Sequence, residues 1–328
     1  MSSRRLSTAG AALASVAALA GVGGSGSEIT FTAAARYPKT FTLYGIRSDG
    51  SGLRMIRHDV SQPAWSPDGS RFGFFGGSCR GFCVAQADGR NVRHVLRASC
   101  GDGTDDAWSP RGPLLALACA TTGRDGHLRS RIVVVRADGT KARRVRSAAG
   151  VGDPQLGGLA WSPDGGTLGF YETRLSSAKR LGGSLFTLRR DGSHLRRLAA
   201  VHGFAALDER PSWRRDGRML AFRHDARRFA LLDVRTHRIT RVVRGTSPVF
   251  SPDGRRLAFS RDGLYVARAD GSAAARVASG TLAAWAPDSR ALAYVMTGPR
   301  LGVVRADGRA RRTLTRSYVD VLDVEWRR

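Results

Sequence analysis

All six tryptophans of the chain, Trp65, Trp108, Trp161, Trp213, Trp285 and Trp326, occupy one position in a recurring phrase, and Phe250 holds a seventh copy. The phrase reads AWSPDG at 64–69, AWSP at 107–110 and AWSPDG at 160–165. It continues as SWRRDG at 212–217, VFSPDG at 249–254, AWAPDS at 284–289 and VEWRR at 324–328. Successive aromatics are 43, 53, 52, 37, 35 and 41 residues apart. That is the period range of four-stranded propeller blades. A sheet of four strands exposes two faces and must stack on neighbours to bury them. A large flat aromatic at a fixed depth fills the wedge between two such sheets.

The turn residues fit this reading. Proline presets φ at the second turn position, aspartate hydrogen-bonds the backbone beyond it, and glycine accepts the positive φ that closes the hairpin. A second hairpin in each unit uses the same device: SDG at 48–50, RDG at 190–192, and ADG at 87–89, 137–139, 269–271 and 306–308, with RTHR at 235–238 in its place once. These aspartates read as turn residues rather than catalytic ones. In the last full unit TLAAW (281–285), RALAYV (290–295), RLGVVRAD (300–307) and RARRTLT (309–315) read as four successive strands. The chain ends on a Trp strand, DVEWRR, with no following partner. EITFTAAA (28–35) is a second-type strand with no preceding Trp strand. Together they predict one blade shared between the two ends. The fold class is therefore all-β: a seven-bladed propeller of four-stranded antiparallel blades spanning 28–328, closed by the N-terminal strand and the C-terminal Trp strand.

AWSPDGSRFGFF, LAWSPDGGTLGFY and VFSPDGRRLAFS, each followed by a strand and then by a DG turn and an arginine, resemble the TolB-type β-propeller repeat, also called WD-repeat-like. The resemblance covers about 28–328. It implies a fold and leaves the role open, since such propellers serve in binding proteins, as gating domains of oligopeptidases and in some lyases. The α/β domain that TolB carries before its propeller has no room here. GGSGS at 23–27 stands in a leader rather than in a hydrolase domain, so the resemblance implies a stand-alone propeller.

Arg4 and Arg5 followed by the alanine-rich stretch 9–22, with Ala18-Leu19-Ala20 as a small-x-small site, predict a signal peptide over 1–20. The apolar run is too short to span a membrane. GVGGSGS at 21–27 reads as a flexible leader. The protein is thus expected to be exported: periplasmic, cell-wall associated or extracellular. Export favours disulfides among the four cysteines. Cys79–Cys83 and Cys100–Cys119 are the expected pairs of three connectivities. CxxxC is not a zinc spacing, so no metal site is expected.

The 53 basic residues exceed the 27 acidic ones, for a net charge of +26, and only Lys39, Lys141 and Lys179 are lysines. The arginines form no block. They read either as a polyanion-binding surface or as codon bias combined with protection of strand edges.

Strand alternation places two loop sets on one face. The loops entering the Trp strands are acidic: Asp59, Asp102, Asp105, Asp106, Asp153, Asp208, Glu209, Asp320 and Asp323. His58 and His202 belong to the same set. The loops joining second to third strands are basic: Arg80, Arg124, Arg129, Arg174, Lys179, Arg180, Arg227, Arg228 and Arg300. His127 in this second set reads as solvent-exposed. The expected face is an acidic mouth inside a basic rim. It could take a cationic peptide segment, or the carboxylates could cap turns and pair with nearby arginines. The carboxylates could also hold a calcium ion, although no DxDxDG loop is present, and no other cofactor is expected. The leading functional expectation is a non-catalytic protein- or peptide-binding module of the cell envelope. The alternatives are a lyase-like enzyme acting on an acidic polysaccharide and a polyanion-binding propeller using the basic rim. Nucleic acid ranks below these, because export disfavours it and the aromatics are committed to packing rather than to stacking on bases.

Overall fold

The structure is a computed structural model that describes residues 27–34, 41–76, 79–97, 100, 105–150, 153–175, 180–202, 209–298, 300–316 and 320–327. Among these residues every regular element is a β-strand, arranged as seven four-stranded antiparallel sheets in a ring. The first strand of each blade ends at the repeated aromatic. In blade one it is Asp320–Trp326, followed in the sheet by Glu28–Ala34, Thr42–Arg47 and Arg54–Arg57. The first strands of blades two to seven are Ser61–Trp65, Asp105–Trp108, Gln155–Trp161, Ser212–Trp213, Thr246–Phe250 and Gly280–Trp285. First strands of neighbouring blades touch one another round the ring. The fourth strands face solvent; Arg238–Arg244 of blade five is exposed along nearly its whole length.

Ring closure follows the sequence expectation. Glu28–Ala34 pairs antiparallel with Asp320–Trp326, Ile29 opposite Trp326 and Ala34 opposite Asp320. Arg327 extends the join: its amide donates to the Glu28 carbonyl at 2.8 Å, and its guanidinium pairs with the Glu28 carboxylate.

The core is divided among the wedges. Each buried apolar cluster combines two adjacent blades, as where Ala116, Ile132 and Val134 of blade three meet Leu159, Trp161 and Phe170 of blade four. Each aromatic sits in the wedge facing the preceding blade. The indole N–H groups fix its depth: Trp108 donates to the Ala64 carbonyl at 2.9 Å, Trp161 to Ala107 at 3.1 Å, Trp213 to Ala160 at 3.1 Å and Trp285 to Val249 at 3.0 Å. The acceptor is always the residue just before the aromatic of the preceding blade.

The turns carry the expected chemistry. In the ADG and SDG hairpins the aspartate accepts the amide two residues on, at 2.8 Å for Asp49 and 3.0 Å for Asp307. Gly89 shows why glycine is required there. Its φ is +83°, and a Cβ would stand 2.3 Å from the Ile56 carbonyl oxygen of the neighbouring blade. In the SPDG turns the serine hydroxyl donates to the aspartate and also accepts the amide that resumes the strand, as Ser66 does with Asp68 at 2.6 Å and with the Arg71 amide at 3.0 Å. The Ser66 hydroxyl and the Ser70 amide and hydroxyl hold the Asp68 carboxyl down to about 2. A depressed folded-state value stabilises the fold above the unfolded value of 3.8, and that contribution is lost as pH falls toward 2. Because Asp68 is exposed, water screens the gain. Asp68→Ala is expected to cost about 1 kcal/mol at pH 7 and almost nothing at pH 2, read as paired thermal melts.

The cysteines pair as expected, Cys79 with Cys83 and Cys100 with Cys119. The second bridge ties the stretch before blade three to that blade's second strand. Among the described residues no helix is long and apolar enough to cross a membrane.

Candidate functional site at the channel mouth

The approach to five of the seven aromatics is shaped by a recurrent bulge. Three residues before the aromatic, Gln62, Gly158, Ser247 and Asp323 adopt φ of 49°, 62°, 52° and 47°, and the ladder to the second strand breaks there. A bulge frees backbone amides and re-aims side chains. The freed amides are capped by the preceding blade. Asp105 of blade three accepts the Leu159 amide of blade four at 2.5 Å. Glu209 accepts the Ser247 amide of blade six at 3.2 Å. Just before the aromatic, Glu325 of blade one accepts the Trp65 amide at 3.3 Å, and Ser212 of blade five accepts the Phe250 amide at 3.0 Å. Part of the acidic mouth therefore stitches blades together.

Blade three keeps a regular ladder, with Asp105 opposite Ala118 and Asp106 opposite Leu117. The pleat sends the two carboxylates to opposite sides, and Asp106 is fully buried. Arg210, two residues before the first strand of blade five, reaches back past blade four to both. Its Nε donates to Asp105 at 2.9 Å, and its nearest terminal nitrogen is 3.5 Å from Asp106. Partial desolvation disfavours the charge on Arg210, whose side chain is 41% exposed, yet Asp105, Asp106 and Glu325 hold its guanidinium above its usual range. Asp323 accepts the Thr32 hydroxyl at 2.8 Å. Burial pushes the carboxyl of Asp323 up, that of Glu325 up to about 7, and that of Asp106 up to about 8, with Asp105, Glu325 and Asp323 adding repulsion at Asp106. One guanidinium thus serves four carboxylates drawn from blades one and three. Oδ2 of Asp106 is buried without a hydrogen-bond partner among the described residues.

The remaining acidic candidates lie apart from this cluster or outside the description. Glu209 pairs with the buried guanidinium of Arg223. Asp153 accepts the Leu128 amide at 3.0 Å and lies 3.3 Å from His127, which is exposed as expected. Asp59 is exposed on a left-handed turn. His58 Nδ1 is 3.1 Å from the Thr42 hydroxyl. Asp320 pairs by backbone with Ala34. The signal peptide 1–20, residues 21–26 of the leader, Asp102, Asp208, Lys179 and the side chains of Asp320, Arg80 and Arg180 lie outside the described residues.

The basic rim does not form a continuous band among the described residues. Arg129 pairs with Asp125 at 2.7 Å. Arg174 lines a cavity of about 370 Å³ with Glu172 and Arg197. Arg124 is exposed, and Arg300 turns its Nε toward the Gly298 carbonyl at 3.3 Å. Among the described rim residues, Arg227 and Arg228 line one cavity, on blade five. Sequence reasoning missed Arg210, Glu325 and Thr32. Glu325 was readable in principle, since it immediately precedes Trp326. Arg210 carries no local mark among so many arginines.

No protein-family model and no curated protein matches the chain. Solved structures do. A puromycin hydrolase mutant complexed with PGG is 16% identical with a TM-score of 0.65, covering 91% of this chain and 53% of that one. An oligogalacturonate lyase in complex with manganese is 13% identical with a TM-score of 0.61, covering 84% of this chain and 90% of that one. A putative TolB from Agrobacterium tumefaciens is 18% identical with a TM-score of 0.45, covering 89% and 90%. What the first two share with this chain is the fold. These neighbours include enzymes, so the likeness leaves the choice between catalysis and binding to the site itself.

Proposed function

We propose that the protein is an exported, non-catalytic propeller whose channel mouth binds a protein or peptide of the cell envelope through a cationic side chain. The observation that supports it is the charge imbalance at the mouth. Among the described residues, Asp105, Asp106, Asp323 and Glu325 share the guanidinium of Arg210, and Asp106 keeps a buried oxygen without a hydrogen-bond partner. A buried acceptor in this state costs free energy that an incoming N–H donor recovers. Burial raises the carboxyls of Asp106 and Glu325, and a lysine or arginine from a partner favours their ionised forms while supplying the N–H donor. The two disulfides and the N-terminal signal support an oxidising compartment, where this reading places the protein.

The test is capture of envelope proteins by the mature chain, compared with Asp106→Asn/Asp323→Asn. The asparagines keep shape and remove the ionisable groups. A stoichiometric partner is expected to be retained by the wild type and lost from the double variant. Changing one lysine or arginine of that partner to glutamine should abolish binding as well. Equal capture by both forms, or a partner indifferent to losing its basic residues, would exclude this reading.

A further inference from the structure

Blade five holds a cavity of about 500 Å³ lined by His202, Asp225, Ala226, Arg227, Arg228 and Arg244. It lies where the turn between Met219–Arg223 and Arg228–Asp233 meets the end of the outer strand Arg238–Arg244. Backbone bonds fix its walls: the Gly245 amide donates to the Arg227 carbonyl at 2.8 Å, and the His202 amide to the His224 carbonyl at 3.0 Å. The ring of His202 meets that of His224 edge-on, with centroids 5.9 Å apart.

The charges in this cavity are unbalanced in the sense opposite to the mouth. Asp225 is fully engaged: one oxygen accepts the Arg227 amide at 2.9 Å and the other accepts Arg228 Nε at 2.6 Å. The guanidinium groups of Arg227 and Arg244 have no hydrogen-bond or ion-pair partner among the described residues. Three guanidinium groups against one carboxylate leave two positive charges in one pocket. The strand register makes this costly, because Arg244 stands directly opposite Arg228. Like charges in directly opposed positions destabilise a sheet. A residue choice that opposes local stability in this way, beside a cavity, marks a place where a ligand supplies what the fold lacks.

We propose that this cavity binds a small organic dianion with a body of sugar size. Guanidinium forks suit carboxylate and phosphate oxygens. The depression is open to solvent, with Arg227, Arg228 and Arg244 exposed, and its volume of about 500 Å³ exceeds what an inorganic anion fills. Ala226 and the aliphatic stems of the arginines give the ligand body an apolar wall. The two negative charges come either from one phosphoryl group or from two adjacent sugar carboxylates. The cavity shares no lining residue with the cluster around Arg210.

Calorimetric titration of the full chain with galactose 6-phosphate, digalacturonate, inorganic phosphate and galactose tests the proposal and separates the two sources. Saturable binding of one of the two organic dianions is expected, with galactose silent and inorganic phosphate at least tenfold weaker. Arg244→Gln is expected to weaken binding at least tenfold while raising the melting temperature, since it removes the opposed charge. Arg93→Gln, an exposed arginine on the outer strand of blade two, makes the same change in net charge and should leave affinity unaltered. Three results would overturn the proposal: no saturation by either dianion, inorganic phosphate binding as tightly as the organic anions, or equal losses in the two variants.

Discussion

Replacing Arg210 with methionine is expected to cost about 1–2 kcal/mol at pH 8, because it leaves the buried carboxyl of Asp106 uncompensated while the guanidinium itself, 41% exposed, is partly screened by water. The pH dependence sets this loss apart from one of packing. Asp106 and Glu325 have folded-state values of about 8 and about 7, above their ordinary values of 3.8 and 4.5. A carboxyl raised on folding favours the fold while it stays protonated, and that advantage is lost as pH rises from the unfolded value through the folded one. The native protein should therefore lose stability from about pH 4 to pH 8 through these two groups. Without Arg210 the decline steepens and extends further upward. At pH 4 to 5, where Asp106 and Glu325 are neutral in either variant, Arg210→Met should cost only the lost packing and the hydrogen bonds to Asp105. Asp106→Asn should behave in the opposite way, gaining stability at pH 8 and none at pH 4. Urea midpoints of the three proteins at pH 5 and pH 8 check this. An Arg210→Met penalty equal at both values would mean that the guanidinium is not the counter-charge of the cluster.

Removing residues 320–328 is expected to abolish the cooperative thermal transition. The truncation deletes the first strand of blade one, leaves Glu28–Ala34 with an unpaired edge, and takes Val321 and Trp326 out of the wedge between blades seven and one. Loss of a buried tryptophan alone costs about 3–5 kcal/mol, comparable to much of a domain's net stability. The exposed edge would also recruit other chains, so aggregation should accompany the loss. A circular permutant joining residues 328 and 27 through a glycine-serine linker, with new ends between Gly139 and Thr140, keeps every strand and should melt cooperatively. A truncated chain that melted like the native one would show that the ring stands without its closing strand.

The fold was legible because its signals are local and repeated. The aromatic, the SPDG turn and the second DG turn each carry their own stereochemical reason, and seven copies fix the architecture and its closure. The site was only half legible. Asp105, Asp106 and Asp323 stand out by lying just before an aromatic. Which of them gather depends on a bulge present in five first strands and missing in blade three. It also depends on Arg210 reaching from blade five to blade three, a separation of about a hundred residues that no spacing rule encodes. The anion cavity was missed in part for a related reason. Arg227 and Arg228 are adjacent in the chain, but Arg244 joins them through strand register, and His202 through blade packing.

The indoles carry one more consequence. Four of them donate to the preceding blade, whereas Trp65 and Trp326 have buried N–H groups with no acceptor among the described residues. These two stand on either side of blade one, where the chain's ends meet, and the guanidinium of Arg327 lies over the Trp65 ring at 4.1 Å from its centroid. The ring is therefore a belt with a marked buckle. Its fluorescence divides into four reporters of the belt and two of the buckle, so an event that unfastens the ends while leaving the other blades stacked has an optical signature of its own.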